Sequence, residues 1–285
     1  MAIPVTSILG APISGLLLDH VHGFGLASWR WLVILEGFPA ILCGLLVYTL
    51  LPSRPADAKF LTSEEKAWLQ AELAAEEKER LAQHQYSTIE TLTNGRVWYM
   101  ACLNFGSLIG LYTLSFWVPQ LLKSRWGEYS NGRVGLLVAI PHLVGLVAMI
   151  LVALSSDRKL ERRYHAAIPI LLGGIALLFM NTAYSPFVLL ALLSVLAGVY
   201  SYPAPFMSIP SEFLSGFSAA AGFALINSIG NLSGFAGPYL IGVVGSRTGS
   251  LYRGFALAGI PLIVSAVLLM LLPKKAHIPE SKQVF

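Results

Sequence analysis

Long apolar runs separated by short polar segments dominate the hydrophobic pattern of this 285-residue chain. Most of the runs approach or exceed the ~20 apolar residues that one helical crossing of a bilayer needs. The pattern predicts eight membrane-spanning helices: Ala2–Leu18, Trp31–Leu51, Val97–Leu122, Val134–Leu154, Ala166–Met180, Phe187–Ile209, Ala219–Val244 and Phe255–Leu272. The first span lacks the basic flank of a cleavable signal peptide, so we predict a membrane helix there.

The longest polar stretch lies between the second and third spans, from Ser53 to Arg96. Within it, Thr62 and Glu65 have the spacing of a capping box, in which two side chains satisfy backbone N–H groups at a helix start. A charged helix is predicted to follow to about Gln83. Its thin apolar stripe consists of Trp68, Leu69, Leu73 and Leu81. The stripe could face the membrane surface, the bundle or, in a solvated linker helix, water.

Composition supports a membrane protein, because 55% of the residues are hydrophobic and only 12% are charged. Soluble domains carry about 25% charged residues, so this chain has too little polar surface to cover a globule in water. The basic pI does not indicate nucleic-acid binding, since the positive charges lie in short loops and form no basic face. Cys43 and Cys102 lie in apolar runs without Cys or His neighbours, so we expect buried hydrophobic side chains and no metal site.

The distribution of Lys and Arg predicts the orientation of the chain. Thirteen of the 19 Lys and Arg residues fall in one set of loops, including the compact cluster Arg158, Lys159, Arg162 and Arg163. Positive charge accumulates on the cytoplasmic side of membrane proteins. We therefore predict that the loop Ser53–Arg96 and both termini are cytoplasmic, and that the chain lies in the plasma (inner) membrane.

Several segments resemble the anion:cation symporters of the major facilitator superfamily, in the tartrate, phthalate and sugar-acid branch. Trp29–Ala40 resembles their sixth helix, and Leu51–Lys59 with Leu61–Lys66 resembles the start of their central loop. Ser156–Arg163 resembles the loop between helices eight and nine, and Ser211–Tyr239 resembles their tenth and eleventh helices.

The resemblance implies an all-α membrane protein with a partial major facilitator fold, whose eight helices correspond to helices five to twelve. Residues 1–52 would be the last two helices of the N-terminal bundle, and 53–96 the cytoplasmic central loop with its amphipathic helix. Residues 97–273 would form the six-helix C-terminal bundle, followed by a cytoplasmic tail, 274–285. The family's first four helices, which carry its main charged substrate and proton groups, have no counterpart here.

The resemblance also implies proton-coupled symport of a small organic anion such as tartrate, phthalate or a sugar acid, without a cofactor other than the coupling proton. The alternative is a non-transporting fragment or a membrane-embedded assembly partner, and dependence on the absent helices is one expectation. On that view the chain alone does not accumulate an anion against its gradient. An enzyme is not predicted, because the chain lacks H-E-x-x-H, G-x-S-x-G and paired intramembrane Asp residues.

Two ionisable residues lie well inside predicted spans, where such groups are costly and often functional. Glu36 could carry the coupled proton, or it could tie helix ends together beside Gly37 and Pro39. His142 could titrate and bind substrate, or it could serve as a neutral hydrogen-bonding residue of the bundle. No Lys or Arg lies deep in any span, so a cation for the substrate carboxylate is expected to be missing.

Polar side chains in the third and seventh spans are the other candidate substrate ligands. The candidates are Asn104, Tyr112, Gln120, Asn227 and Asn231. Asn227 and Asn231 are four residues apart and share one helix face, which lines either an aqueous cavity or another helix. The resemblance favours the cavity. The resemblance also implies that four charged residues latch neighbouring helices in one conformation: Asp157, Arg158, Arg162 and Arg163. Alternatively, the group could simply anchor the loop on the cytoplasmic side, for which only the positive charges matter.

Overall fold

A computed structural model of the chain describes residues 2–82, 88–125, 127–183, 185–214 and 216–272. These residues form helices and turns and contain no β-strand longer than the isolated bridge between Gly23 and Leu26. The all-α prediction is confirmed. The predicted tail 274–285 and the predicted last residue of the linker helix, Gln83, lie outside the described residues.

Six of the eight predicted spans correspond to one α-helix each, with the fifth extended by a turn. These are α1 (Ala2–His20), α2 (Ser28–Leu50), α5 (Gly95–Arg125), α6 (Asn131–Lys159), α7 (Arg163–Leu178, continued by a 3₁₀ turn Phe179–Thr182) and α12 (Leu251–Met270). The helices extend beyond several predicted boundaries because their ends carry polar residues that the apolar pattern excludes.

The predicted linker helix is α3 (Ser63–Ala82), which is followed by the short α4 (Thr88–Thr93). The capping box is confirmed: the Thr62 N–H donates to Glu65 Oε2 over 2.8 Å, and the Glu65 N–H donates to Thr62 Oγ1 over 3.3 Å. The Thr62 hydroxyl also donates to Glu65 Oε2, and the two bonds that Thr62 donates to this carboxylate lower the pKa of Glu65. Trp68 and Leu73 are exposed and Leu69 is half-buried, so the bundle does not cover the stripe at Trp68 and Leu73.

The sixth span is a broken helix. It consists of α8 (Pro186–Ala197), a 3₁₀ turn (Gly198–Ser201), α9 (Pro203–Ser208) and a second 3₁₀ turn (Pro210–Glu212). Pro203, Pro205 and Pro210 lack the N–H that a regular helix uses, so the backbone tightens into i→i−3 bonds around them.

The seventh span was predicted as one continuous helix, and this is wrong. It is divided into α10 (Gly216–Asn231) and α11 (Ser233–Thr248), which meet at Leu232. The Asn231 side-chain amide donates to the Asn227 carbonyl, and the Ser233 hydroxyl donates to the Gly230 carbonyl. These side-chain bonds lie on either side of the break. The seven other segments are long and apolar enough to cross a membrane.

The core lies among the helices from α5 to α12, which pack at backbone contact through glycines. A Cβ atom at Gly254 would lie 2.7 Å from the Ile241 backbone, and one at Gly259 would lie 2.7 Å from the Gly174 carbonyl oxygen. The helix α1 packs on α6 in the same way, through Gly15 and Gly135. Such close approach is typical of membrane helix interfaces.

In contrast, α2 contains no buried residue. Its Cys43 is exposed, and so is Cys102 on α5. The expectation that both cysteines are buried is therefore wrong, because each lies on the outward apolar surface of its helix.

Candidate functional site

A cavity of about 700 Å³ lies where α1 and α2 face α5 and α6. Its walls are mainly apolar, but six polar side chains reach it. These are Thr6, Ser7 and Ser14 from α1, Glu36 from α2, Ser115 from α5 and His142 from α6. A mostly apolar cavity with a few convergent polar groups is typical of a small-molecule site. The two intramembrane ionisable residues of the sequence thus line one cavity, which their separation in the sequence did not reveal.

Glu36 is exposed on α2, about a third of the way along the helix. The Ser14 hydroxyl of α1 donates to Glu36 Oε1. Hydrogen bonding from a hydroxyl stabilises the charged carboxylate. The contact joins α1 to α2, which is the helix-tying role that was one of the two interpretations of Glu36. It leaves the second carboxylate oxygen of Glu36 at the cavity wall.

His142 is 2% exposed and is held by its own helix. Its Nδ1 lies 2.9 Å from the Val138 carbonyl oxygen. Because a carbonyl only accepts, Nδ1 carries a proton, and Nε2 of the neutral ring is an acceptor. The imidazole also lies against the Tyr200 ring, with 5.6 Å between the centroids. These contacts hold the imidazole in place at the wall of the cavity.

Tyr112, Asn227 and Asn231 form a connected polar row on α5 and α10. The Tyr112 hydroxyl donates to Asn231 Oδ1 over 2.6 Å, and Asn231 Nδ2 donates to the Asn227 carbonyl over 2.8 Å. Both asparagines are exposed. The row is therefore pre-oriented by its own bonds and retains exposed polar atoms that a ligand could contact.

Asn104 differs from the other amide candidates because it is fully buried. Its Nδ2 donates to the Ile226 carbonyl over 3.2 Å, and its Oδ1 accepts from the Tyr202 hydroxyl over 2.9 Å. In this conformation Asn104 joins α5 to α10 and to the broken helix, and its side chain is not accessible to a ligand.

Gln120 lines an adjoining cavity of about 650 Å³, together with Lys123 and Asn131. The Lys123 ammonium donates to Asn131 Oδ1 over 2.6 Å. Asp19, at the end of α1, accepts from the Asn131 N–H, the Asn131 side chain and the Gly132 N–H. A carboxylate at a helix start satisfies free N–H groups and complements the helix dipole.

The sequence interpretation missed Lys123 and Asp19, because both lie at the ends of predicted spans and Lys123 was counted with the loop charges. Lys123 is a cation at the wall of the cavity that Gln120 lines. The only signal for either residue was its position next to an apolar run.

The proposed latch residues have separate contacts. Arg162 pairs with Asp157, whereas the Arg163 guanidinium donates to the Leu272 carbonyl at the end of α12. Arg158 is exposed. Arg163 therefore ties the α6–α7 turn to α12, and the latch role of the group stays a prediction.

Glu161 organises the same turn. It accepts from the Tyr164 N–H over 2.8 Å and lies 2.7 Å from His165 Nδ1. Burial alone raises the pKa of Glu161, but the hydrogen bonds from Tyr164 and His165 lower it overall. Among the described residues, no group of three or more His, Cys, Asp or Glu side chains could hold a metal ion.

Comparison with known proteins gives a consistent result. A family model described as the Major Facilitator Superfamily matches residues 1–238. Two proteins of Agrobacterium vitis, each named "Putative tartrate transporter", are 40% and 42% identical over 98% and 96% of this chain. The "Putative metabolite transport protein NicT" of Pseudomonas putida is 35% identical over 96%. The chain spans 64%, 61% and 63% of the lengths of these relatives.

Proposed function

The chain belongs to the major facilitator superfamily, and from this premise we propose that it takes part in proton-coupled transport of a small organic anion. It is a multi-pass membrane protein, and membership in a superfamily of transporters supports the prediction that it is not an enzyme. The plasma (inner) membrane and cytoplasmic termini remain part of the proposal, which rests on the distribution of Lys and Arg.

The observation that carries the proposal is the cavity that Glu36 and His142 share. Intramembrane ionisable groups that line a cavity are typical of proton and substrate pathways. In the proposed mechanism Glu36 takes up and releases the coupled proton, and the Ser14 hydroxyl orients its carboxylate. The anion binds beside His142. The row of Tyr112, Asn227 and Asn231 is not among the residues that line this cavity, and we propose it as a second polar contact surface for the anion on α5 and α10.

A second candidate is a chain that binds the anion but does not transport it alone. Alternating access requires one helix bundle to rock against another around the site. In this chain α1 packs on α6, whereas α2 contains no buried residue. The exposed surface of α2 suggests that transport needs further helices that pack against it.

Purified chain in lipid vesicles distinguishes these functions through binding and uptake of labelled tartrate. We expect saturable binding that Asn231→Ala lowers far more than Ser233→Ala, because Asn231 is exposed in the polar row and Ser233 is buried against the Gly230 carbonyl. Uptake driven by an imposed proton gradient, and lost in Glu36→Gln, would support transport by the chain itself.

Binding without gradient-driven uptake would support the second candidate. Absence of tartrate binding, in chain that elutes as a folded species, would refute both functions for this acid. Equal effects of Asn231→Ala and Ser233→Ala would remove the polar row from the proposed site.

A further inference from the structure

The cavity of about 650 Å³ that Gln120 lines is a cleft between α1, α5 and α6. It reaches the end of α5 and the start of α6, beside the loop that the distribution of Lys and Arg assigns to the external side. The cleft shares four lining residues with the cavity of Glu36 and His142: Ala11, Ser14, Pro119 and Val138. The two cavities therefore adjoin, and the cleft leads toward the proposed substrate site.

Lys123 brings a positive charge to the wall of this cleft. Its ammonium donates to Asn131 Oδ1 over 2.6 Å, and it forms no other hydrogen bond with a described side chain. A lysine ammonium has three N–H donors, so two are left for a further acceptor. No ion pair joins the ammonium to a described carboxylate. The positive charge at the wall is therefore not neutralised by the part of the chain that the structure describes.

Asp19 is the acid on the same hydrogen-bond network, but its carboxylate is directed at the start of α6. Its oxygens accept from the Asn131 N–H, the Asn131 side-chain amide and the Gly132 N–H. A negative charge is favoured at this end of a helix. The Asn131 side chain lies between the two charges, with Nδ2 on Asp19 and Oδ1 on Lys123. Asp19 thus binds α6, and the ammonium keeps its free donors.

Gln120 provides a second donor on the same face of α5. It lies three residues before Lys123, a spacing that places two side chains side by side on a helix. The Gln120 side chain is exposed, lines the cleft and forms no hydrogen bond with another described residue. The ammonium and the amide together can therefore donate to the two oxygens of one carboxylate group.

We propose that Lys123 and Gln120 form a capture site, at which the carboxylate group of an anion binds before the anion passes to the cavity of Glu36 and His142. The inference rests on the proposed function and supplies a cation for it outside the spans' interior, where the sequence has none. A positive charge at the wall of a cavity attracts anions over a longer range than a hydrogen bond does. The capture site therefore acts mainly on the rate of association.

The first test labels the lysines of the full chain in lipid nanodiscs with acetic anhydride, with L-tartrate as the probe and mass spectrometry as the readout. Tartrate should slow the acetylation of Lys123 several-fold, because an ammonium paired with a carboxylate releases its proton less readily. Acetylation of Lys59, an exposed lysine of the linker, should not change. This test uses the unchanged chain and does not depend on the folding of a variant.

The second test measures the association rate of tartrate by stopped-flow fluorescence at several salt concentrations. Lys123→Gln should lower the association rate constant several-fold and weaken its dependence on salt, whereas Lys123→Arg should keep most of both. Arg133→Gln is the matched control, because it removes the same charge two residues after Asn131. Arg133 is exposed, lies over the Tyr129 ring and lines neither cavity. It should change the association rate much less.

Each other outcome has a definite meaning. Tartrate binding without protection of Lys123 would overturn the capture site and leave the proposed function intact. Protection of Lys123 with an unchanged association rate in Lys123→Gln would overturn it as well, since the ammonium would then be shielded without attracting the anion. Equal effects of Lys123→Gln and Arg133→Gln would assign the attraction to the general surface charge. A folded unchanged chain that binds no tartrate would refute the proposed function itself, and the capture site with it.

Discussion

The helices α2 and α5 show how differently two membrane spans can be used. The helix α2 is the more apolar of the two, yet it has no buried residue. The helix α5 is less apolar, and most of its membrane-spanning segment is buried. In α5 the buried positions include Asn104, Ser107 and Thr113. Of these two helices, the one that other helices surround is thus the one with buried polar side chains.

This difference follows from the solvent. Lipid is as apolar as a leucine side chain, so burial of apolar surface does not drive helices together in a membrane, and small and polar residues hold the interfaces. Apolarity therefore indicates that a segment spans the membrane, while glycines and hydrogen-bonding side chains indicate what it packs against. Three measurements test this contrast between the first two helices and the bundle α5–α12.

The orientation of the helices in the membrane should give an all-or-none result. Reporter fusions after Pro52 and after Ser155 should both give a cytoplasmic signal, and a fusion at Asn181 should give an external one, because positive charge gathers in the cytoplasmic loops. An activity pair such as alkaline phosphatase and green fluorescent protein measures this. A cytoplasmic signal at Asn181 would mean that the bundle is inserted in the opposite sense to the one predicted.

The next effect concerns packing. Gly254→Val should destabilise the chain by about 1–3 kcal/mol or more, because a Cβ at this position meets the Ile241 backbone. Gly44→Val is the matched change in α2, where a Cβ meets nothing within 4 Å, and it should have little effect. Thermal unfolding of the purified chain in detergent compares them. Equal losses would show that the α2 face is packed as tightly as the bundle.

The smallest effect concerns the contact between the two regions. Asp19→Ala should speed hydrogen exchange at the Asn131 and Gly132 amides several-fold, because both N–H groups donate to the Asp19 carboxylate. Asp57→Ala, an exposed linker change, should leave that exchange unaltered. Mass spectrometry of peptides covering the start of α6 provides the measurement. Unchanged exchange in Asp19→Ala would mean that other groups protect these amides.

Most of the fold was predictable because it depends on local patterns. Apolar runs locate the spans, and the capping box places the start of α3 at Ser63. The division of the seventh span at Leu232 was not predictable, because the apolar run continues across that position and contains no proline between Ala219 and Gly237.

The candidate site was only partly predictable. Hydropathy singled out Glu36 and His142, but their shared cavity depends on how α1 and α2 pack against α5 and α6. Tyr200 gave no signal, because a tyrosine in an apolar run is ordinary and only the tertiary structure places its ring against His142. The burial of Asn104 was not predictable either, because hydrophobic periodicity does not show which other helix packs on a given helix face.

The glycines between α1 and α6 also limit how this sequence can diverge. A Cβ atom at Gly15 would lie 2.3 Å from the Asn131 carbonyl oxygen, and one at Gly135 would lie 2.3 Å from the Ala11 carbonyl oxygen. Both obstacles belong to the backbone, so a smaller neighbouring side chain cannot compensate. Every missense change at these two codons adds a Cβ, whereas Gly10, elsewhere on α1, meets nothing within 4 Å. Substitutions can therefore accumulate on much of the lipid-facing surface, whereas Gly15 and Gly135 must stay glycine.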